Sequence, residues 1–155
     1  MRIFDITQYE VAGIEFIAWE ETKNNVGLFL SAYKIARERV GVSQLPKLTM
    51  CYSLNDEEYR KIQESEAFED QNDIRNDFLN LHQNFVLGYS AIMHPWKPEI
   101  TDRRRSIFML RYVYGLSGSI VIDRIHYQKN IVIEDSKRAI VQFASALSLL
   151  EKKGQ

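Results

Sequence analysis

The chain has 155 residues, 45% of them hydrophobic, and a formal net charge of −1, which fits one domain with a sizeable core, or a small domain with an extension. No apolar run approaches a membrane span, and Asp5, Glu10 and Glu15 interrupt any signal-peptide pattern in residues 1–20, so no membrane partner is expected. A single cysteine, Cys51, excludes an internal disulfide and fits a reducing, cytoplasmic setting.

In chain order, Ile3, Phe4, Ile6, Tyr9, Val11, Ile14, Phe16, Ile17 and Trp19 are apolar without a clear period. A helix over about 8–21 accommodates them, weakened at Gly13 by roughly 1 kcal/mol against Ala. Thr22 reads as a helix cap, and Val26, Phe29, Leu30, Tyr33, Ala36, Arg37 and Val40 recur at helical spacing until Gly41 ends the run. Pro46 stops any helix. Lys47 to Leu54 has weak strand character and is placed as an extended connector, because a lone strand leaves its backbone unpaired. Asn55-Asp56-Glu57-Glu58 reads as a helix start, with acids where the dipole favours them, and leads into a polar helix ending near Glu69.

Ile74, Phe78, Leu81, Phe85, Tyr89, Ile92 and Met93 mark one stripe of a longer helix, and Asn76, Asn80, Gln83 and Asn84 its other face. Two such stripes need each other or a second subunit to cover Phe29, Tyr33, Phe78 and Phe85, so a homodimer is expected. His94-Pro95-Trp96-Lys97-Pro98 must be extended, with Trp96 as its packing anchor. Asp102 reads as the cap of a helix that carries Arg103-Arg104-Arg105 and then Ile107, Phe108, Leu110, Tyr112 and Val113. Gly115 and Gly118 bracket Ser117 and break it. A short apolar segment over 120–126, a turn at Tyr127-Gln128 and a periodic run from Lys129 to Leu150 complete the chain. Helix, break, short helix, tight turn and longer helix is the outline of a helix-turn-helix, whose second helix enters the major groove of DNA.

The side chains that would carry catalysis are not grouped in the sequence. Glu20-Glu21, Asp56-Glu57-Glu58 and Glu69-Asp70 are adjacent acids on polar segments, no glycines flank a serine as a nucleophile elbow, and no glycine-rich phosphate loop is present. His82, His94 and His126 are scattered and have no second cysteine to join them at a zinc ion. An enzyme is therefore not expected, nor a metal or cofactor.

Charge is uneven along the chain. Residues 1–95 carry a balance of −6 and residues 96–155 one of +5. A basic back half either meets phosphate or is an ordinary solvated surface. On the first reading, Gln128, Lys129, Asn130, Glu134 and Lys137 on the last helix are the candidates for reading base edges. Gln and Asn pair with adenine, Lys with guanine and Glu with the cytosine amino group. Arg103, Arg104, Arg105, Arg124 and Arg138 are the candidates for phosphate. Phe108, Leu110, Tyr112, Val121, Ile125, Val132, Ala139 and Phe143 would form the tri-helical core.

Several of these stretches carry a resemblance. Arg103-Arg104-Arg105-Ser106-Ile107 with Leu110-Arg111-Tyr112, Tyr114-Gly115-Leu116-Ser117, Ile125-His126-Tyr127, Lys137-Arg138-Ala139-Ile140 and Phe143-Ala144 resemble the C-terminal half of phage-encoded ArpU-type transcriptional regulators. That half is similar to region 4 of bacterial sigma factors. Leu45-Pro46-Lys47-Leu48-Thr49-Met50-Cys51-Tyr52-Ser53-Leu54 resembles a segment that precedes the acidic middle helix of the same family. The resemblance implies a sequence-specific DNA-binding regulator of phage or prophage genes, often late or packaging-linked, acting with bacterial RNA polymerase in the host cytoplasm. The chain departs from the family at Glu134, where an arginine is common, and at Asp135, which replaces an apolar packing residue. Ile131-Val132-Ile133 adds apolar surface to the same helix.

The expected architecture is thus mainly α, with a helical N-terminal platform over 1–95 and a sigma region 4-like helix-turn-helix over 96–155. The alternative is a protein-binding adaptor that modulates RNA polymerase or a sigma factor without reading DNA.

Overall fold

The computed structural model describes residues 16–48 and 71–154, and over these the protein is mainly α-helical, with five α-helices. Residues 8–15 of the first expected helix, the connector beyond Leu48, the acidic start at Asn55–Glu58 and the polar helix to Glu69 lie outside the described residues.

Helix α1 runs Trp19–Arg39, with Glu20 and Glu21 in its first turn where the helix dipole favours acids. It begins three residues before Thr22, so Thr22 is not its cap. The Thr22 side chain is buried instead, and its hydroxyl accepts the Glu151 N–H at 3.0 Å. At the other end Gly41 takes a left-handed φ of 84°. The Val42 N–H then bonds the Arg37 carbonyl at 3.1 Å and the Gly41 N–H that of Glu38 at 3.0 Å, closing off the last carbonyls.

Helix α2, Gln71–Ser90, packs against α1 through stacked rings, with the Tyr33 and Phe85 centroids 4.6 Å apart. The close approach of the last helix onto α2 occurs at Gly88, where a Cβ would stand 2.6 Å from the Phe143 ring. One buried cluster draws on Val26, Leu30 and Tyr33 of α1, Phe78, Phe85 and Tyr89 of α2, and Phe108, Ala139 and Phe143 from the back half. Of the two ways expected to cover these stripes, each other or a second subunit, the first holds within one chain: Tyr33, Phe78 and Phe85 are buried and Phe29 is half-buried. The change in sequence character at residue 95 does not divide this core.

The linker between the halves is held by its polar groups. Gln142 grips Met93 by both backbone groups, donating to its carbonyl at 2.8 Å and accepting its N–H at 3.2 Å. His94 Nδ1 accepts the Lys97 N–H at 3.1 Å. Trp96, expected to anchor this junction by packing, is 70% exposed and meets the His94 ring edge to face. The hydrogen bonds fix the linker, so no aromatic plug is required.

Helix α3, Pro98–Phe108, begins with proline at its first turn and Lys97 at the cap, which leaves Asp102 inside the helix and exposed. It continues as a π-helical turn over Met109–Val113, closed by the Tyr114 N–H on the Met109 carbonyl at 2.8 Å. Helices α4, Gly118–Ile125, and α5, Lys129–Ala146, follow. Past α5 the chain turns at Ser148 and pairs antiparallel with residues 16–18, where Glu151 accepts the Ala18 N–H and Phe16 accepts the Lys153 N–H, both at 2.8 Å.

Candidate nucleic-acid interface

The connection from α3 to α5 is built from local signals. Gly115 reverses the chain with a φ of 75°, and Ser117 caps α4 by accepting the Ile120 N–H at 3.3 Å. His126 ends α4 in the left-handed region, its N–H on the Ile122 carbonyl at 3.0 Å. Gln128 is extended, and α5 starts at Lys129. Three residues, 126–128, thus separate a short helix from a long one. A small second core of Ile107, Leu110, Val121 and Val132, with Ile122 and Ile125 against it, holds α3, α4 and α5 together.

Helix α5 has two environments along its length. Its C-terminal half is sunk in the main core through Ala139, Ile140, Phe143 and Ala144. In its N-terminal half, Lys129, Asn130, Ile133, Glu134, Lys137 and Arg138 are all exposed, forming one continuous outer face at steps of three and four residues. Gln128 stands just before this face at the cap position, exposed, and its side chain does not cap the helix.

Of the expected base-reading residues, Lys129 and Asn130 sit in the first turn, with no ion pair or side-chain bond among the described residues. Glu134 accepts from Arg138 at 3.0 Å, an exposed pair one turn apart. Lys137 lies two turns from the start of α5 and lines an open groove with Trp19, Glu20, Glu21 and Lys153, so acids temper its positive field. Gln128 is at the cap with an extended backbone, outside the helical turns that carry Asn130, Glu134 and Lys137.

The expected phosphate residues divide. Arg124 on α4 is exposed and has no ion-pair partner among the described residues. Arg138 is exposed beside Glu134. The run Arg103-Arg104-Arg105 does not present itself to a phosphate backbone. Arg104, 9% exposed, donates from Nε to Asp135 at 2.9 Å and from Nη1 to the Met93 carbonyl at 2.9 Å. Arg103 donates to the other oxygen of Asp135, and its guanidinium lies 4.7 Å from the centre of the Tyr127 ring. Arg105 donates to the carbonyls of Ile92 at 2.8 Å and Ser90 at 3.1 Å, and covers Tyr89. The helix carrying them starts at Pro98, so all three lie beyond its first turn and do not oppose the positive end of the dipole.

Asp135, only 3% exposed, is the residue that accounts for them. An acid at an apolar packing position looks costly in the sequence, but each of its oxygens accepts from a guanidinium group. Burial disfavours the Arg103 charge, yet the Asp135 carboxylate and the Tyr127 phenol outweigh it and raise that pKa above the ordinary value. A second polar tie, from the Tyr112 hydroxyl to Ser136 at 2.6 Å, joins the π-helical turn to α5. Burial pushes the Tyr112 phenol up, against the smaller opposing effects of Ser136 and the Arg111 charge.

Among the described residues no group of three or more His, Cys, Asp or Glu side chains is placed to hold a metal ion, and no helix is long and apolar enough to cross a membrane. Comparison with protein-family models, curated proteins and solved structures finds no match to this chain.

Proposed function

We propose that this protein is a sequence-specific DNA-binding transcriptional regulator in which α4 and α5 act as a helix-turn-helix. The observation that carries the reading is the division of α5. Its second half is fixed in the core, while its first half holds an uninterrupted exposed face of Lys129, Asn130, Ile133, Glu134, Lys137 and Arg138. A helix anchored at one end and bare along one face at the other suits insertion into a major groove. Lys129 and Asn130, with Gln128 at the cap, would reach base edges first, and Ile133 is suited to a thymine methyl. Glu134 would read a cytosine amino group after leaving Arg138, since an exposed pair of this kind holds by only about 0.3–0.5 kcal/mol. Phosphate contact falls to Arg124, Arg138 and the flanking Lys137. The resemblance to ArpU-type regulators extends the proposal to phage or prophage genes, late or packaging-linked, and to work beside bacterial RNA polymerase.

The test is a duplex selected from a randomised pool by the intact protein, compared with its scrambled sequence. Asn130→Ala should weaken binding to the selected duplex by about 1–3 kcal/mol and to the scrambled one far less. Equal losses on both duplexes, or no salt-sensitive binding to any duplex, would reject DNA reading by this helix.

One observation favours a second reading. Ile120, Tyr127 and Ile133 are exposed large apolar residues on α4, the connector and α5. A surface of that kind fits a protein partner, and an adaptor that modulates RNA polymerase would bind polymerase or sigma factor directly while ignoring DNA.

A further inference from the structure

Among the described residues, the outer face of α1 contributes nothing to the buried core. Its exposed positions between 24 and 35 are Asn24, Gly27, Leu28, Ser31, Ala32 and Ile35, none of them charged. Leu28 is 72% exposed and Ile35 47% exposed, seven residues apart and so two turns along one side of the helix. Beside them an open groove of about 380 Å³ runs between α1 and α2, lined by Ala32, Ile35 and Arg39 on one wall and Ile74, Asp77 and Leu81 on the other. The same side of α1 carries Glu21 near its start and Arg39 at its end. Both are exposed, and neither has an ion-pair partner among the described residues.

We propose that this face binds a second copy of the chain, with the two α1 helices antiparallel about a two-fold axis level with residue 30. Two independent pairings give that position. An axis there sets Glu21 opposite the partner's Arg39, and it also sets Leu28 opposite the partner's Ala32, at the mouth of the partner's groove. The protruding leucine and the groove that receives it lie on the same face of one protomer, as an isologous contact requires, because each side must supply both halves. Gly27, Ser31 and Ala32 let the helices approach, and along the edge that carries Glu21 and Arg39 the order acid, apolar, base matches itself only in the antiparallel sense. On the other edge Glu20, paired with Lys23 at 3.6 Å, comes near the partner's Glu38. A parallel pairing would set like charges together at both ends. Of the residues invoked, only Glu21 borders α5, where it shares an open groove with Lys137, so Leu28→Glu, remote from that groove, separates loss of association from any effect on DNA binding.

Sedimentation equilibrium of the full chain tests it with charge swaps. The wild type should form a dimer at micromolar concentration, and Leu28→Glu should be monomeric with an unchanged helical circular dichroism spectrum. Glu21→Arg or Arg39→Glu alone should weaken association by about tenfold, since each single change breaks two symmetry-related pairs. The double variant Glu21→Arg with Arg39→Glu should restore it, a recovery that general loss of folding would not produce. A wild type that stays monomeric at about a hundred micromolar, a dimer indifferent to Leu28→Glu, or a double variant no better than the singles would overturn the assignment.

Discussion

At the scale of single residues, Asp135 is where three parts of the back half meet. Its two oxygens take one guanidinium each from α3, Arg104 passes the contact on to the Met93 carbonyl, and Arg103 reaches the Tyr127 ring in the connector before α5. Charges this well buried are stable only as a complete set. Asp135→Asn should therefore cost about 3–5 kcal/mol in urea unfolding, because it leaves two arginines without their carboxylate. Replacing all three together, Asp135→Leu with Arg103→Met and Arg104→Met, should recover most of that loss, since a packed apolar set avoids the desolvation cost. A loss under about 1 kcal/mol for Asp135→Asn would mean that water already screens the group as it does a surface pair. The triad also constrains α5 in rotation, because the acid that must stay inside lies on the side of the helix opposite Asn130 and Lys137.

At the scale of elements, the contact between α2 and α5 depends on a missing side chain. Gly88 lets the Phe143 ring lie against the α2 backbone, and a methyl group there would meet two ring carbons at 2.6 and 2.7 Å. Phe143 is in turn stacked on Phe108 at 4.8 Å, so it has little room to retreat. Gly88→Ala gains helix propensity of about 1 kcal/mol but should lose about 1–3 kcal/mol to overpacking. The expected outcome is a net lower melting temperature, read by thermal circular dichroism, and a raised one would show that α5 can shift away. What the sequence shows of such elements follows the range of the interaction. Gly41, Gly115 and Ser117 act within a turn of themselves, and helix ends fall at those residues. The start of α5 at Lys129 was legible for the same reason. By contrast, the helix expected to be capped by Asp102 begins four residues earlier at Pro98, a residue expected in the extended linker. The surroundings of Thr22, Trp96, Arg103 and Arg104 were not legible, because Glu151, the Gln142–Met93 clamp and Asp135 lie far away in the chain or replace a contact that hydrophobicity alone suggested. Asp135 itself stood out as an acid at an apolar position, and the adjacent basic run on the preceding helix was the signal that could have paired them. The exposed face of α5 was legible in outline, although Gln128 stands just before it at the cap and Glu134 is tied to Arg138.

At the scale of the molecule, the sequence suggests a platform and a separate reading unit, whereas the packing joins them. Helix α5 lies against α1, α2 and α3 at once, and the largest buried cluster takes residues from both sides of the linker. The strand-like pairing of residues 16–18 with Glu151–Lys153 adds a second tie between the two ends of the described chain, supported by Asn25 on the Leu149 carbonyl at 3.0 Å. A unit cut at residue 95 would strip the α1 and α2 side chains from Ala139, Ile140, Phe143 and Ala144, leaving it only Phe108, Met109 and Val113 of that cluster beside the small core of Ile107, Leu110, Val121 and Val132. That small core is too slight to offset the conformational entropy of ordering some sixty residues, which runs to about 1–2 kcal/mol for each backbone unit. Calorimetry of the full chain should accordingly show one transition, with calorimetric and van't Hoff enthalpies in agreement. The isolated segment 96–155 should show weak, non-cooperative helical signal and bind a hydrophobic dye. Two resolved transitions, or a fragment that melts sharply by itself, would mean that α4 and α5 are held by their own core and that the helices of the front half only rest against them.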